Sequence, residues 1–286
     1  IGANVTTSGT QTYTGAVTLS ANDTFTTTAN GSVSFGGAID GSAAGKTLTI
    51  STNGTGDTTF TGAVGATNAL GNITITTDVL TAAAIKLAGT LSITNGGASS
   101  ITGIISDGAS AATLSKSGAG TLTLSATNTY TGATTISAGT LAITHANALG
   151  TTAGATTVAS GAALSISNGI TVAEPITISG TGVSSGGALR FTSGDNTYSG
   201  NITLGANATI VSAAGNQTLS GTLNGAYTLD VTSAANLTLT GAIGGSARPT
   251  TTNITTTGTG ILYLGSNIST DGNLTFTAAG GAIVKD

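Results

Sequence analysis

Few side chains in this sequence could do chemistry, and they are scattered. There is one histidine, His145, and no cysteine. Ten carboxylates run along the chain: Asp23, Asp40, Asp57, Asp78, Asp107, Glu174, Asp195, Asp230, Asp271 and Asp286. Lysine and arginine together number six, and only Arg190 and Arg248 are arginines. A sugar hydrolase or lyase needs clustered acids with a nearby cation to set up a base or hold Ca²⁺. With two arginines in the whole chain, no such cluster is expected. A catalytic histidine needs an orienting partner. His145 sits in Ile143-Thr-His-Ala-Asn147 with no acid within 20 residues on either side, so a surface or turn position is expected. Zero cysteine removes disulfides, thiolate metal sites and cysteine nucleophiles, and a lone histidine removes multi-histidine metal sites. Asp40-Gly41, Asp107-Gly108 and Asp271-Gly272 read as turns, in which the carboxylate caps backbone N–H groups. Tandem Gly-Gly-x-Gly-x-Asp calcium repeats are absent. The expectation is no catalytic, cofactor-binding or metal residue and no enzymatic activity.

The elements carrying these residues are built from small ones. Of 286 residues, 45 are glycine; charged residues make up 6% and aromatics 3%, and methionine and tryptophan are absent. A net charge of −4 argues against nucleic acid, whose binders need a basic patch to displace counterions. No apolar run is long enough for a transmembrane helix. Abundant Thr, Ile and Val, two prolines and a mean hydropathy of +0.34 argue against disorder.

Apolar residues alternate with Thr or Ser in short runs, as in Thr47-Leu-Thr-Ile50, Asn72-Ile-Thr-Ile-Thr76, Thr121-Leu-Thr-Leu-Ser125 and Asn236-Leu-Thr-Leu-Thr240. Period-two alternation between Gly, Asn, Asp and Ser turns predicts strands with one buried face. The chain also repeats itself. Gln11-Thr-Tyr-Thr-Gly15 recurs as Asn128-Thr-Tyr-Thr-Gly132, as Asn196-Thr-Tyr-Ser-Gly200, and with Phe as Thr58-Thr-Phe-Thr-Gly62. A longer match joins Tyr13–Gly41 to Tyr198–Gly225. The tyrosines of the blocks, Tyr13, Tyr130 and Tyr198, are 117 and 68 residues apart, and a unit of about 23 residues divides both intervals. A coil of that size cannot bury its own inward Leu/Ile/Val row, so it must stack on a neighbour. The expected fold is all-β: a parallel β-helix (β-solenoid) of about 12 coils of about 23 residues, stacked about 4.8 Å apart into a rod. One continuous repeat domain over 1–286 is expected, with sub-blocks 1–95, 96–195 and 196–286.

The segment Lys116-Ser-Gly-Ala-Gly120 through Thr129-Tyr130-Thr-Gly132 to Ala138-Gly-Thr-Leu141 resembles the autotransporter-associated β-strand repeat. Ala146-Asn-Ala-Leu-Gly150 and Val158-Ala-Ser-Gly-Ala-Ala-Leu164 resemble the passenger repeats of the same large bacterial surface proteins, and Gly272–Ile283 resembles repeats of filamentous haemagglutinin-like adhesins. The resemblance implies a right-handed helix displayed outside the cell, exported with the help of a signal peptide and a membrane barrel. Repeat-like sequence runs to both ends of the 286 residues without a visible cap. An excised segment or an end-to-end stacking subunit is therefore expected.

The functional expectation is a non-enzymatic, extracellular or cell-surface structural protein of a bacterium, a stalk or a self-assembling fibre subunit with homotypic contacts and no cofactor. The alternative is a carbohydrate- or surface-binding adhesin module. In that case Tyr130 and Tyr198 could be sugar platforms, although rings at strand starts are expected to pack against the next coil. A remote alternative is ice binding through outward Thr-x-Thr pairs, which in the sequence fall at irregular intervals. The Asn-rich turns suggest stacked amide ladders. The sequons at Asn72 and Asn201 read as accidents of composition.

Overall fold

The computed structural model describes residues 1–285; Asp286 lies outside the described residues. The chain is an all-β parallel β-solenoid of about 13 turns of about 22 residues. Among the described residues the single helical element is a 3₁₀ turn, Val183–Ser185. Two compact units are present: Ile1–Thr135 with Asn147–Gly154, and Ile136–Ala146 with Ala155–Asp286.

In the first unit each turn lays down three short strands, and each strand pairs in parallel with its counterpart one turn on. Along one wall the inward residues line up as Val5, Phe25, Ile50, Ile75, Ile93 and Lys116. A second wall stacks Tyr13, Phe35, Phe60, Ala82, Ile101 and Leu124. A third stacks Val17, Ile39, Val64, Ile85 and Ile105. Alternation explains the result. In Ile73–Thr77 the residues Ile73, Ile75 and Thr77 are buried, while Thr74 and Thr76 are exposed. Tyr13 and Phe35 stack with ring centroids 4.9 Å apart, and Phe25 meets both edge-on, so the rings fill the first turns of this core.

The second unit repeats the plan. One wall stacks Leu141, Leu164, Leu189, Ile210, Val231, Ile254 and Phe276. Another stacks Val172, Tyr198, Leu219, Leu239 and Leu264. The third stacks Thr156, Ile176, Ile202, Leu223, Ile243 and Ile268. Between Gly180 and Gly187 the chain leaves this wall in a small excursion, with positive φ at Gly180, Gly182, Ser184, Ser185 and Gly187.

Each repeated block runs along one wall into the turn that follows it, and three of the four open in a short strand. Their first residue is polar and buried: Gln11, Thr58, Asn128 and Asn196 are each no more than 5% exposed. Each answers backbone or hydroxyl groups at the bend. Asn128 accepts from the Ile105 N–H at 2.8 Å and donates to the Ala148 carbonyl at 2.6 Å. Asn196 accepts from the Ile170 N–H at 3.0 Å and donates to the carbonyls of Ser193 and Gly194. The closing glycine is sterically required wherever another turn lies beneath it. A Cβ on Gly62 would lie 2.5 Å from the Gly37 carbonyl oxygen; one on Gly132 would strike the Ala112 carbonyl, and one on Gly200 that of Glu174. At Gly15 nothing lies within 4 Å.

This contrast is testable. Gly62→Ala should lower stability by about 1–3 kcal/mol through forced backbone displacement, whereas Gly15→Ala should stay within about 0.5 kcal/mol. Urea denaturation of the two variants against the parent checks the pair, and equal effects would contradict the packing described.

Candidate functional site

The polar groups divide into those that hold the corners, those buried in the core and those on the surface. Among the described residues no group of three or more His, Asp or Glu side chains could hold a metal ion. His145 lies half-buried just past strand Gly139–Ile143. Four of the acids cap turns. Asp40 accepts from the Thr67 and Asn68 N–H groups, and Asp57 from that of Val79. Asp107 accepts from the Ala112 and Thr131 N–H groups and from the Thr131 hydroxyl. Asp195 accepts from the Asn216 N–H at 2.8 Å. Arg248 and Asp271 are 3.8 Å apart and both exposed, an ion pair worth little.

The Asn-rich turns are organised differently from stacked amides. Along the axis an Asn side-chain oxygen accepts from a backbone N–H of the adjoining turn: Asn4 from Thr24, Asn22 from Thr47, Asn72 from Thr90, Asn207 from Thr228 and Asn236 from Ile261, at 2.8–3.0 Å. A backbone donor left over at each corner is the better partner, because leaving it unmade would cost more than an amide–amide bond returns. The Asn72 and Asn201 sequon side chains are engaged in this way, Asn201 with Thr222.

Two ionisable groups sit inside the core. Lys116 is fully buried on the inward rung after Ile93, and its Nζ donates to the carbonyls of Ser117 and Gly118 at 2.8 and 2.9 Å. Burial lowers its ammonium from 10.5 to about 8. Glu174 is 4% exposed. Burial raises its carboxyl from 4.5 to about 8, with the Thr156 hydroxyl opposing in part. The phenol of Tyr198 donates to the Glu174 backbone carbonyl at 2.7 Å, and burial followed by the nearby Glu174 charge pushes that phenol well up. Asp23 is also buried, and its two carboxylate oxygens have no hydrogen-bond partner among the described residues.

Tyr130 and Tyr198 are both fully buried, with Tyr130 sharing a 2.6 Å hydrogen bond with Thr134, so neither can be a sugar platform. The exposed tyrosine is Tyr227, outside every repeated block. The Thr-x-Thr pairs are more ordered than their spacing in sequence suggests. On one face of the first unit Thr24, Thr49, Thr74, Ser92 and Ser115 form one column, and Thr6, Thr26, Ser51, Thr76, Thr94 and Ser117 a second. Variable corner lengths hide this alignment in the sequence.

The two buried groups set opposite pH dependences. Glu174, with its folded pKa raised, contributes stability that is full below about pH 4.5 and lost as pH rises through about 8. Lys116, with its folded pKa lowered, contributes stability that is full above about pH 10.5 and lost as pH falls through about 8. Between them they produce a stability minimum near pH 8. Thermal melts from pH 4 to 11 should show Glu174→Gln flattening the acid-side decline and Lys116→Met flattening the alkaline-side recovery. A variant that leaves its own limb unchanged refutes that assignment.

No curated protein and no solved structure matches the chain. A family model does. Its match runs from strand Thr113–Ser117, which carries the buried Lys116, across the Asn128 corner and Tyr130 to the end of strand Gly139–Ile143. With the β-solenoid fold in place, residues 114–143 match the passenger-associated-transport-repeat, the type of repeat the sequence resemblance implies.

Proposed function

We propose that this chain is a non-enzymatic structural segment of an exported bacterial passenger, a solenoid stalk or fibre subunit displayed at the cell surface. The observation that carries it is the passenger repeat at 114–143 set within a parallel solenoid. The side-chain inventory supports it. Many polar side chains bond the backbone of a corner or an adjoining turn, four of the acids cap turns, and among the described residues the His and acid side chains form no metal-holding group. The lack of cysteine leaves nothing to cross-link during passage through an oxidising compartment. With 6% charged residues, little repulsion keeps neighbouring copies apart, which favours homotypic association.

One surface supports a second reading. The paired hydroxyl columns of the first unit place Thr and Ser at strand spacing in one direction and turn spacing in the other, a regular array that could order water as an ice-binding face does. Thermal hysteresis of the purified chain, abolished by Thr74→Lys with Thr76→Lys, is the result expected of such a face. Freezing behaviour equal to buffer removes that reading.

Antibody raised against the purified chain should label the outside of intact producing cells, and external protease should remove the label. Label confined to the cell interior would overturn the exported-passenger proposal. Sedimentation over a concentration series separates the two structural roles. Concentration-dependent association is expected of a fibre subunit, and a monodisperse monomer restricts the role to a stalk.

A further inference from the structure

The second unit carries a shallow groove of about 470 Å³ that no structural role explains. It is lined by Ser160, Gly180, Thr181, Ala206, Asn207 and Tyr227. These residues come from successive turns. Gly180 lies against Ser160, Gly180 pairs with Ala208, and Asn207 accepts from the Thr228 N–H. The groove therefore runs along the axis at one corner, and four rungs of about 4.8 Å give it a length of about 14 Å.

Its chemistry is specific. Tyr227 is 42% exposed in a protein whose other tyrosines are half-buried or buried. A single exposed ring is ordinary by itself; what distinguishes Tyr227 is that it borders a groove with polar side chains beside it. Beside it Ser160 and Thr181 present exposed hydroxyls, and Asn207 an exposed amide. The Asn207 oxygen is held by the Thr228 N–H at 2.9 Å, which fixes the side chain and leaves the NH₂ as the donor available to a ligand. Gly180 and Ala206 keep the floor low. No charged residue lines the groove.

We propose that this groove binds a short neutral oligosaccharide, with Tyr227 as the stacking platform and Asn207, Thr181 and Ser160 as hydrogen-bonding partners. The axial C–H face of a pyranose is electropositive and complements the negative face of an aromatic ring. Its hydroxyls need donors and acceptors placed to one side, and a few such groups around an apolar platform are the usual makeup of a small-ligand site. The lack of charge selects against uronic acids, sulfated sugars and phosphates, which need cations. The proposal goes beyond the structural role above, since a stalk needs no ligand, and it stands or falls independently of where the protein is displayed.

The test uses the full chain with neutral hexasaccharides of β-1,4-glucose, α-1,4-glucose, β-1,4-N-acetylglucosamine and β-1,4-mannose, and an anionic oligogalacturonate as control. Binding is read by saturation-transfer NMR and by titration of tyrosine fluorescence up to millimolar sugar. At least one neutral oligosaccharide should bind. Tyr227→Ala should weaken it by about tenfold or more, Tyr227→Phe should keep it within about threefold, and Thr181→Ala should weaken it less than Tyr227→Ala. Because Tyr227 is exposed, the melting temperature of both Tyr227 variants should match the parent. The proposal is overturned by no binding across the neutral panel, by binding that Tyr227→Ala leaves intact, or by preference for the anionic sugar. It is also overturned if Tyr227→Ala abolishes self-association and no sugar competes with that association, because the groove would then be a contact between copies of the chain.

Discussion

Parallel backbone pairing holds successive turns about 4.8 Å apart, and that separation leaves no room for ordinary side chains where corners lie directly over one another. The closing glycines at Gly62, Gly132 and Gly200 follow from it, since a Cβ at each would enter the backbone of the adjoining turn. So do the polar openings of the same blocks. A bend interrupts the ladder and strands N–H and C=O groups, and Asn128 and Asn196 answer them with one acceptor and one donor on a short stem. The recurring five-residue block thus specifies a wall segment and the turn after it, with a polar anchor at one end and a missing Cβ at the other.

The core obeys the same constraint with less variety. Each inward column repeats one side chain per turn, so shape complementarity is required only between residues about 4.8 Å apart along the axis. Leu, Ile and Val meet that need with few rotamers and fill a narrow interior without large rings. At the first turns rings enter, and there Tyr13 stacks on Phe35 one turn on. Lys116 and Glu174 depart from the rule. Each places an ionisable group where an aliphatic one would pack, and burial moves both toward their neutral forms.

The strands, their inward faces and the solenoid were legible in the sequence because alternation is local and strict. The same alternation also places Lys116 on an inward rung two residues after Leu114, and Glu174 between Val172 and Ile176, so their burial was readable from parity alone. Neither residue belongs to a cluster of acids and cations, the pattern by which a catalytic group announces itself in sequence. Rings at the strand starts of the blocks are expected to pack inward, and Tyr130 and Tyr198 are buried. Tyr227 was missed because its surroundings depend on Ser160, Gly180 and Ala206, residues from turns of unequal length that no sequence pattern connects. The hydroxyl columns were missed for the same reason.

That inequality has a consequence for how such a chain changes over generations. Along one wall of the first unit the partners step from Phe25 to Ile50 and from Ile50 to Ile75, then only to Ile93, so successive turns differ in length while the inward column stays aligned. In the second unit the excursion at Gly180–Gly187 lengthens a turn, yet Leu189 still meets Ile210. Corners outside the glycine-closed blocks act as slack, and the strands keep count. Extra residues that bulge outward, as at Gly180–Gly187, therefore leave the stacked rungs in place, whereas the glycine-closed blocks tolerate no such change. A loop can thus be carried on the outside of an unaltered interior, and the repeat length near 22 is an average over turns of unequal length.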